Sequence, residues 1–96
     1  MILSSEDIQA NLEDSKGWEL EGDKWIKKHF TLSTFPKAIQ FVNELANLAE
    51  DRQHHPYLII DHKNVTIKLS TIDEGGLSQK DFESAHAYDV TFLKYD

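Results

Sequence analysis

The feature that most constrains this chain is a change of hydrophobic period at Thr34. From there Ala38, Phe41, Val42, Leu45, Leu48 and Ala49 recur at steps of three and four residues, the spacing that lines one face of an α-helix. Lys37, Gln40, Asn43, Glu44 and Asn47 fall on the other face. Pro36 stands where a first helical turn tolerates a missing N–H, and Pro56 comes after the pattern has ended. A helix is therefore predicted over about Phe35 to Asp51. Such a one-sided helix needs a partner for its apolar stripe, and the flanking segments supply it.

Before the helix, Trp18 and Leu20 alternate with polar residues up to Glu21-Gly22-Asp23, and Trp25 to Leu32 reads as a return strand, so a hairpin is predicted. Trp18 and Trp25 are expected to pack on each other across it rather than to stack on a ligand. After the helix, Tyr57-Leu58-Ile59-Ile60-Asp61 and Val65-Thr66-Ile67-Lys68-Leu69-Ser70 are β-rich runs around a tight His62-Lys63-Asn64 turn, a second hairpin. Ser4 as N-cap with Asp7 three residues on, and Leu3 and Ile8 as a staple, predict a short helix over about Ser5 to Leu12. Ser78, Asp81, Leu77 and Phe82 repeat that pattern. The last helix then continues through Ala85, His86 or Asp89, and Phe92 or Leu93, fraying at Tyr95-Asp96. The order α-β-β-α-β-β-α implies an α+β fold: a four-stranded antiparallel sheet built from two hairpins, with helices packed on one face.

At 96 residues the chain has the size of one domain, expected to span 1–96. Ten Lys and Arg against seventeen Asp and Glu give a net charge of −7, which disfavours binding to nucleic-acid phosphates or anionic lipid. No apolar run approaches the roughly 20 residues of a membrane helix, and Met1-Ile2-Leu3-Ser4-Ser5-Glu6-Asp7 has no basic lead into an apolar stretch, so neither a membrane span nor a secretory signal is expected. The expected location is cytoplasmic. Absence of cysteine excludes disulfides, thiolate metal sites and cysteine nucleophiles. A domain this small buries only ~60–65% of its unfolded surface, so further burial by self-association is expected to help it.

One cluster of titratable groups stands out, Glu50-Asp51-Arg52-Gln53-His54-His55-Pro56 at the end of the middle helix. Histidine gives and takes protons near neutral pH, so adjacent imidazoles suit general acid–base work. The plainer alternative is that His-His-Pro only ends a helix, histidine favouring the C-terminal dipole and proline stopping the turn. From these residues alone both readings stand. A metal site from His54, His55 and His62 with Asp61 or Glu50 lacks any recognised ligand spacing, and no metal is expected. Gly75-Gly76 is an isolated pair without a phosphate-loop pattern, and Ser70, Ser78 and Ser84 lack the surroundings of a nucleophilic serine.

Taken together, Trp25-Ile26-Lys27-Lys28-His29-Phe30-Thr31-Leu32, Phe35, Ala38, Phe41, Val42, Ala46, Ala49-Glu50, His54-His55-Pro56, Val65 to Thr71 and Gly76-Leu77-Ser78-Gln79-Lys80-Asp81 resemble the pterin-4a-carbinolamine dehydratase family over roughly Gly17 to Asp89. The most specific element is an acidic residue, three residues, His-His-Pro, a hairpin ending in Leu-Ser/Thr-Thr, and then Gly-Leu-Ser/Thr-x-x-Asp. Here Glu50, His54, His55, Pro56 and Asp81 occupy those places. The resemblance implies a homodimer or homotetramer that dehydrates 4a-hydroxytetrahydropterin to quinonoid dihydropterin, recycling the cofactor of aromatic amino-acid hydroxylases. It implies His54 and His55 as proton-transfer residues, with Glu50, Pro56, His62 and Asp81 binding substrate or supporting them. The pterin is the substrate, and no separate cofactor or metal is implied.

Two positions depart from that family's pattern. A third active-site histidine, which the family has directly after the Leu-Ser-Thr strand end, is Ile72 here, and the family's hairpin aromatic is His62. An isoleucine neither hydrogen-bonds nor carries a proton. Two functions follow as alternatives: a dehydratase of weak activity, or a non-catalytic relative of the dimerisation-cofactor type that binds a pterin or a partner protein, a hydroxylase among the candidates.

Overall fold

The computed structural model describes Met1 to Tyr95. Helix α1 spans Ser5–Glu13, strands β1 and β2 span Glu19–Glu21 and Trp25–Thr31, and helix α2 spans Phe35–Arg52. Strands β3 and β4 span Tyr57–Asp61 and Asn64–Leu69, a 3-10 turn spans Ile72–Glu74, and helix α3 spans Gln79–Phe92. The sheet order is β1-β2-β4-β3 with every neighbour antiparallel. The two hairpins therefore meet at β2 and β4, leaving β3 on an edge. This is the α+β arrangement expected from the sequence.

Helix α2 begins as its sequence dictates: the Thr34 side chain accepts from the Lys37 N–H at 3.2 Å, and Pro36 sits in the first turn. Its stripe of Ala38, Phe41 and Leu45 is buried against the sheet face made by Ile26, Phe30, Val65, Ile67 and Leu69, and Ala49 is buried one turn further on. Full burial of Phe41 and Leu45 contributes roughly 1.5–3 kcal/mol each. Phe30, Phe41 and Phe92 pack with ring centroids 4.9–5.6 Å apart, joining sheet, α2 and α3 at one point.

Several local expectations change. Trp18 and Trp25 do not pack on each other, because Glu21 pairs with Trp25 while Leu20 pairs with Ile26, which puts the two indoles on opposite faces. Trp18 is buried, meets Phe30 edge-on at 6.2 Å and donates to Asp89 Oδ2 at 3.0 Å. Asn64 pairs with Asp61, so the second turn is His62-Lys63 and His62 takes a left-handed φ of 54°. Ser70 lies beyond β4, and the 3-10 turn after it was not expected from the sequence. On α3 the buried positions include Asp81, Ser84, Tyr88 and Thr91, a more polar stripe than an apolar periodicity would select. Of the Tyr95-Asp96 end expected to fray, Tyr95 donates to Glu44 Oε1 at 2.7 Å, and Asp96 lies outside the described residues.

Candidate functional site

The end of α2 decides where the histidines go. Gln53 takes a left-handed φ of 53°, and the chain closes on itself through His54 N–H to Ala49 O at 3.1 Å, the helix-end geometry that usually employs glycine. The Gln53 side chain adds a bond of 2.7 Å to Glu50 O. This turn sends consecutive imidazoles in different directions. His54 goes inward, where it is 9% exposed and its Nε2 lies 2.6 Å from Asp81 Oδ1. His55 stays outside, its Nε2 bonded to the Glu50 carboxylate, with both side chains mostly exposed.

Asp81 is the third residue of α3 and is completely buried. A capping-box arrangement places it: Asp81 Oδ2 accepts the Ser78 N–H at 3.0 Å, and the Asp81 N–H returns to the Ser78 backbone carbonyl at 3.1 Å. Thr71, also buried, donates to the same Oδ2 at 2.8 Å. Three donors thus converge on one carboxylate. His54 must present Nε2–H to it, which leaves Nδ1 as the ring's free nitrogen. A buried carboxylate without such donors would be costly to desolvate.

Of the remaining sequence-predicted residues, Pro56 is half-buried and opens β3. His62 is 91% exposed at the opposite end of that strand, its Nδ1 3.1 Å from Asp61 Oδ1. The six residue steps of extended chain from Pro56 to His62 span roughly 20 Å, so within one chain His62 does not join the other two histidines. Ile72 opens the 3-10 turn next to Thr71 with 72% of its surface exposed, beside a hollow lined by Lys24, Trp25, Ser70 and Gly75. Among the described residues no group of three or more His, Asp or Glu is placed to hold a metal ion, and no helix is long and apolar enough to cross a membrane.

Sequence reasoning did not single out Thr71 as part of this cluster. Its signal was the Leu69-Ser70-Thr71 strand end, which was read as part of the family pattern without a role for the threonine. It also overlooked Tyr88, fully buried with an unpartnered hydroxyl, whose phenol is pushed up to about 12 by burial.

A family model described as pterin 4 alpha carbinolamine dehydratase matches residues 1–91. The chain belongs to that family. Relatives that carry the provisional name pterin-4-alpha-carbinolamine dehydratase include one from Roseiflexus sp. (strain RS-1), 46% identical over 87 residues, covering 91% of this chain and 92% of the relative. Another, from Herpetosiphon aurantiacus, is 43% identical over 91 residues, covering 95% and 94%. Among solved structures, a transcriptional coactivator/pterin dehydratase from Brucella melitensis superposes with a TM-score of 0.90 at 25% identity, covering 95% of this chain and 98% of that one. The fold is also shared with a pterin dehydratase-like protein described as a RuBisCO assembly factor in the alpha-carboxysome, with a TM-score of 0.68 at 22% identity, covering 78% of this chain and 88% of that one. Proteins of this fold are thus described in more than one role.

Proposed function

We propose that this chain dehydrates a 4a-hydroxytetrahydropterin. In that step the C4a–O bond breaks, the leaving hydroxide takes a proton and departs as water, N5–H loses its proton, and a C4a=N5 double bond forms. One proton goes on and one comes off, so the step balances without a metal. Two imidazoles suit it, and the observation that carries the reading is their anchoring: each Nε2 is held by a carboxylate, His54 by Asp81 and His55 by Glu50, leaving each Nδ1 to exchange a proton with substrate. Membership of the family supports the pterin as substrate, and a cytoplasmic hydroxylase as the source of the hydroxypterin follows from that reading.

The exposed Ile72 favours a second reading, a module that binds a protein or a pterin without turning it over. Two related structures are described as a coactivator and an assembly factor. Absorbance of the quinonoid product on mixing 4a-hydroxytetrahydropterin with the purified protein decides between them. Weak turnover is expected in the parent, about 10²-fold or more gain from Ile72→His if the new imidazole reaches substrate, and no change from His62→Phe. Absence of turnover in the parent and in Ile72→His refutes the enzyme.

A further inference from the structure

We propose that Thr71 is a positioning residue for His54, acting through Asp81. The inference rests on reading His54 as a proton-transfer group, and it concerns what fixes that ring rather than what the ring does. Thr71 Oγ1 lies 2.8 Å from Asp81 Oδ2 and 2.6 Å from Ser78 Oγ, all three residues buried. The threonine has one proton for two neighbours. Giving it to the serine would deprive a buried carboxylate of a charge-assisted bond, so it goes to Asp81 and Ser78 donates to Thr71. The donors therefore run one way into the carboxylate: Ser78 O–H to Thr71, Thr71 O–H to Asp81 Oδ2, with the Ser78 N–H on the same oxygen at 3.0 Å.

The consequence is an aimed carboxylate. A carboxyl group turns readily about its last side-chain bond, but two donors on Oδ2 hold this one so that Oδ1 faces His54 Nε2. Thr71 is itself rigidly placed. Its N–H donates to Gly76 O at 2.8 Å, its carbonyl accepts from Glu74 and Gly75 at 3.0 and 3.1 Å, and its β-branched side chain has few rotamers. Beyond Ser78, the N-terminal segment straps the loop through the Ile2–Ser78 bridge and Leu3 N–H to Leu77 O at 2.9 Å. With Thr71 only 1% exposed, water does not compete for the hydroxyl.

The test compares Thr71→Val, which keeps the shape and removes the donor, with Thr71→Ser, which restores it. The first readout is the low-field NMR resonance of His54 Nε2–H and its exchange with solvent, which needs no substrate. The second is kcat against KM for 4a-hydroxytetrahydropterin. In Thr71→Val the proton is expected to exchange at least about tenfold faster, and kcat to fall about ten- to a hundredfold, the worth of one hydrogen bond to a charged group, with KM changed less than about twofold. Thr71→Ser is expected to restore both. If Thr71→Val does not fold, Thr71→Cys places a weak donor in a similar volume and is expected to fall between the parent and loss. Wild-type exchange in Thr71→Val, or a serine variant that behaves like the valine one, overturns the proposal. Absence of turnover in both the parent and Ile72→His, with an exchange pattern that follows this order, refutes the dehydratase while upholding Thr71's role.

Discussion

Replacing Asp81 by asparagine changes one atom and sets a problem the site has only one good way to solve. The carboxylate accepts from His54 at 2.6 Å, Thr71 at 2.8 Å and the Ser78 N–H at 3.0 Å. An amide has one accepting oxygen and one donating NH2, so a donor must be turned against a donor on one side. The Ser78 backbone N–H cannot invert, whereas an imidazole can move its proton. The amide oxygen therefore stays on Thr71 and Ser78, its NH2 faces Nε2, and His54 shifts its proton to Nδ1. Three charge-assisted bonds become neutral ones of about half the strength, roughly 1 kcal/mol lost at each. The negative charge in the first turn of α3 adds roughly 0.5 kcal/mol to the loss. The sum, about 3.5 kcal/mol, corresponds to a fall in Tm of roughly 14–28 °C for a domain of this size. The free nitrogen becomes a donor where it was an acceptor, and turnover is expected to fall by about 10²–10⁴. Calorimetry and long-range proton–nitrogen NMR correlations of the ring check both halves. An Asp81→Asn protein that melts within a degree or two of the parent with its His54 proton still on Nε2 refutes the converging-donor description.

Two further outcomes are expected. Tyr88 has its phenol pushed up to about 12 by burial, against 10.0 for an ordinary tyrosine. Its folded pKa is above the unfolded one, so its contribution of up to roughly 3 kcal/mol is complete below pH 10 and lost as pH rises to about 12. Absorbance titration of the folded protein is expected to show one of the three tyrosines ionising only near pH 12 and to lose that step in Tyr88→Phe. Titration of all three together near pH 10 contradicts it. Strand β3 exposes Tyr57, Ile59 and Ile60 on a sheet edge, so sedimentation at micromolar concentration is expected to give a multiple of 11.1 kDa and Ile60→Lys to give the monomer. A parent that sediments as one chain throughout refutes self-association.

The parts of the fold that announced themselves are those whose local chemistry and burial agree. Helix α2 was legible because its stripe, its Thr34 cap and its Pro36 all specify the same element. Helix α3 was readable at its start, where the capping box is a short-range pattern, and less so further on, because Ser84, Tyr88 and Thr91 are buried by tertiary packing that periodicity does not register. The indole pair was misplaced because alternation tells which residues share a face within one strand, while the faces of two strands are related only through the register of their turn. At the site, Glu50, His54, His55 and Asp81 were visible as residue types at family spacing. The division of the imidazoles between an inner and an outer carboxylate was not, since it depends on the left-handed Gln53, a conformation nothing in a glutamine foretells.

That turn gives the two histidines different histories as the chain folds. His55 finds Glu50 five positions away on the helix it has just left, a contact closed as soon as α2 exists. His54 waits for a residue 27 positions on, across a hairpin that has to form and a helix that has to dock. A molecule with its sheet assembled and α3 detached thus holds one anchored imidazole and one adrift. The inner imidazole is thus in place only where α3 has docked, while the outer one is in place wherever α2 has formed.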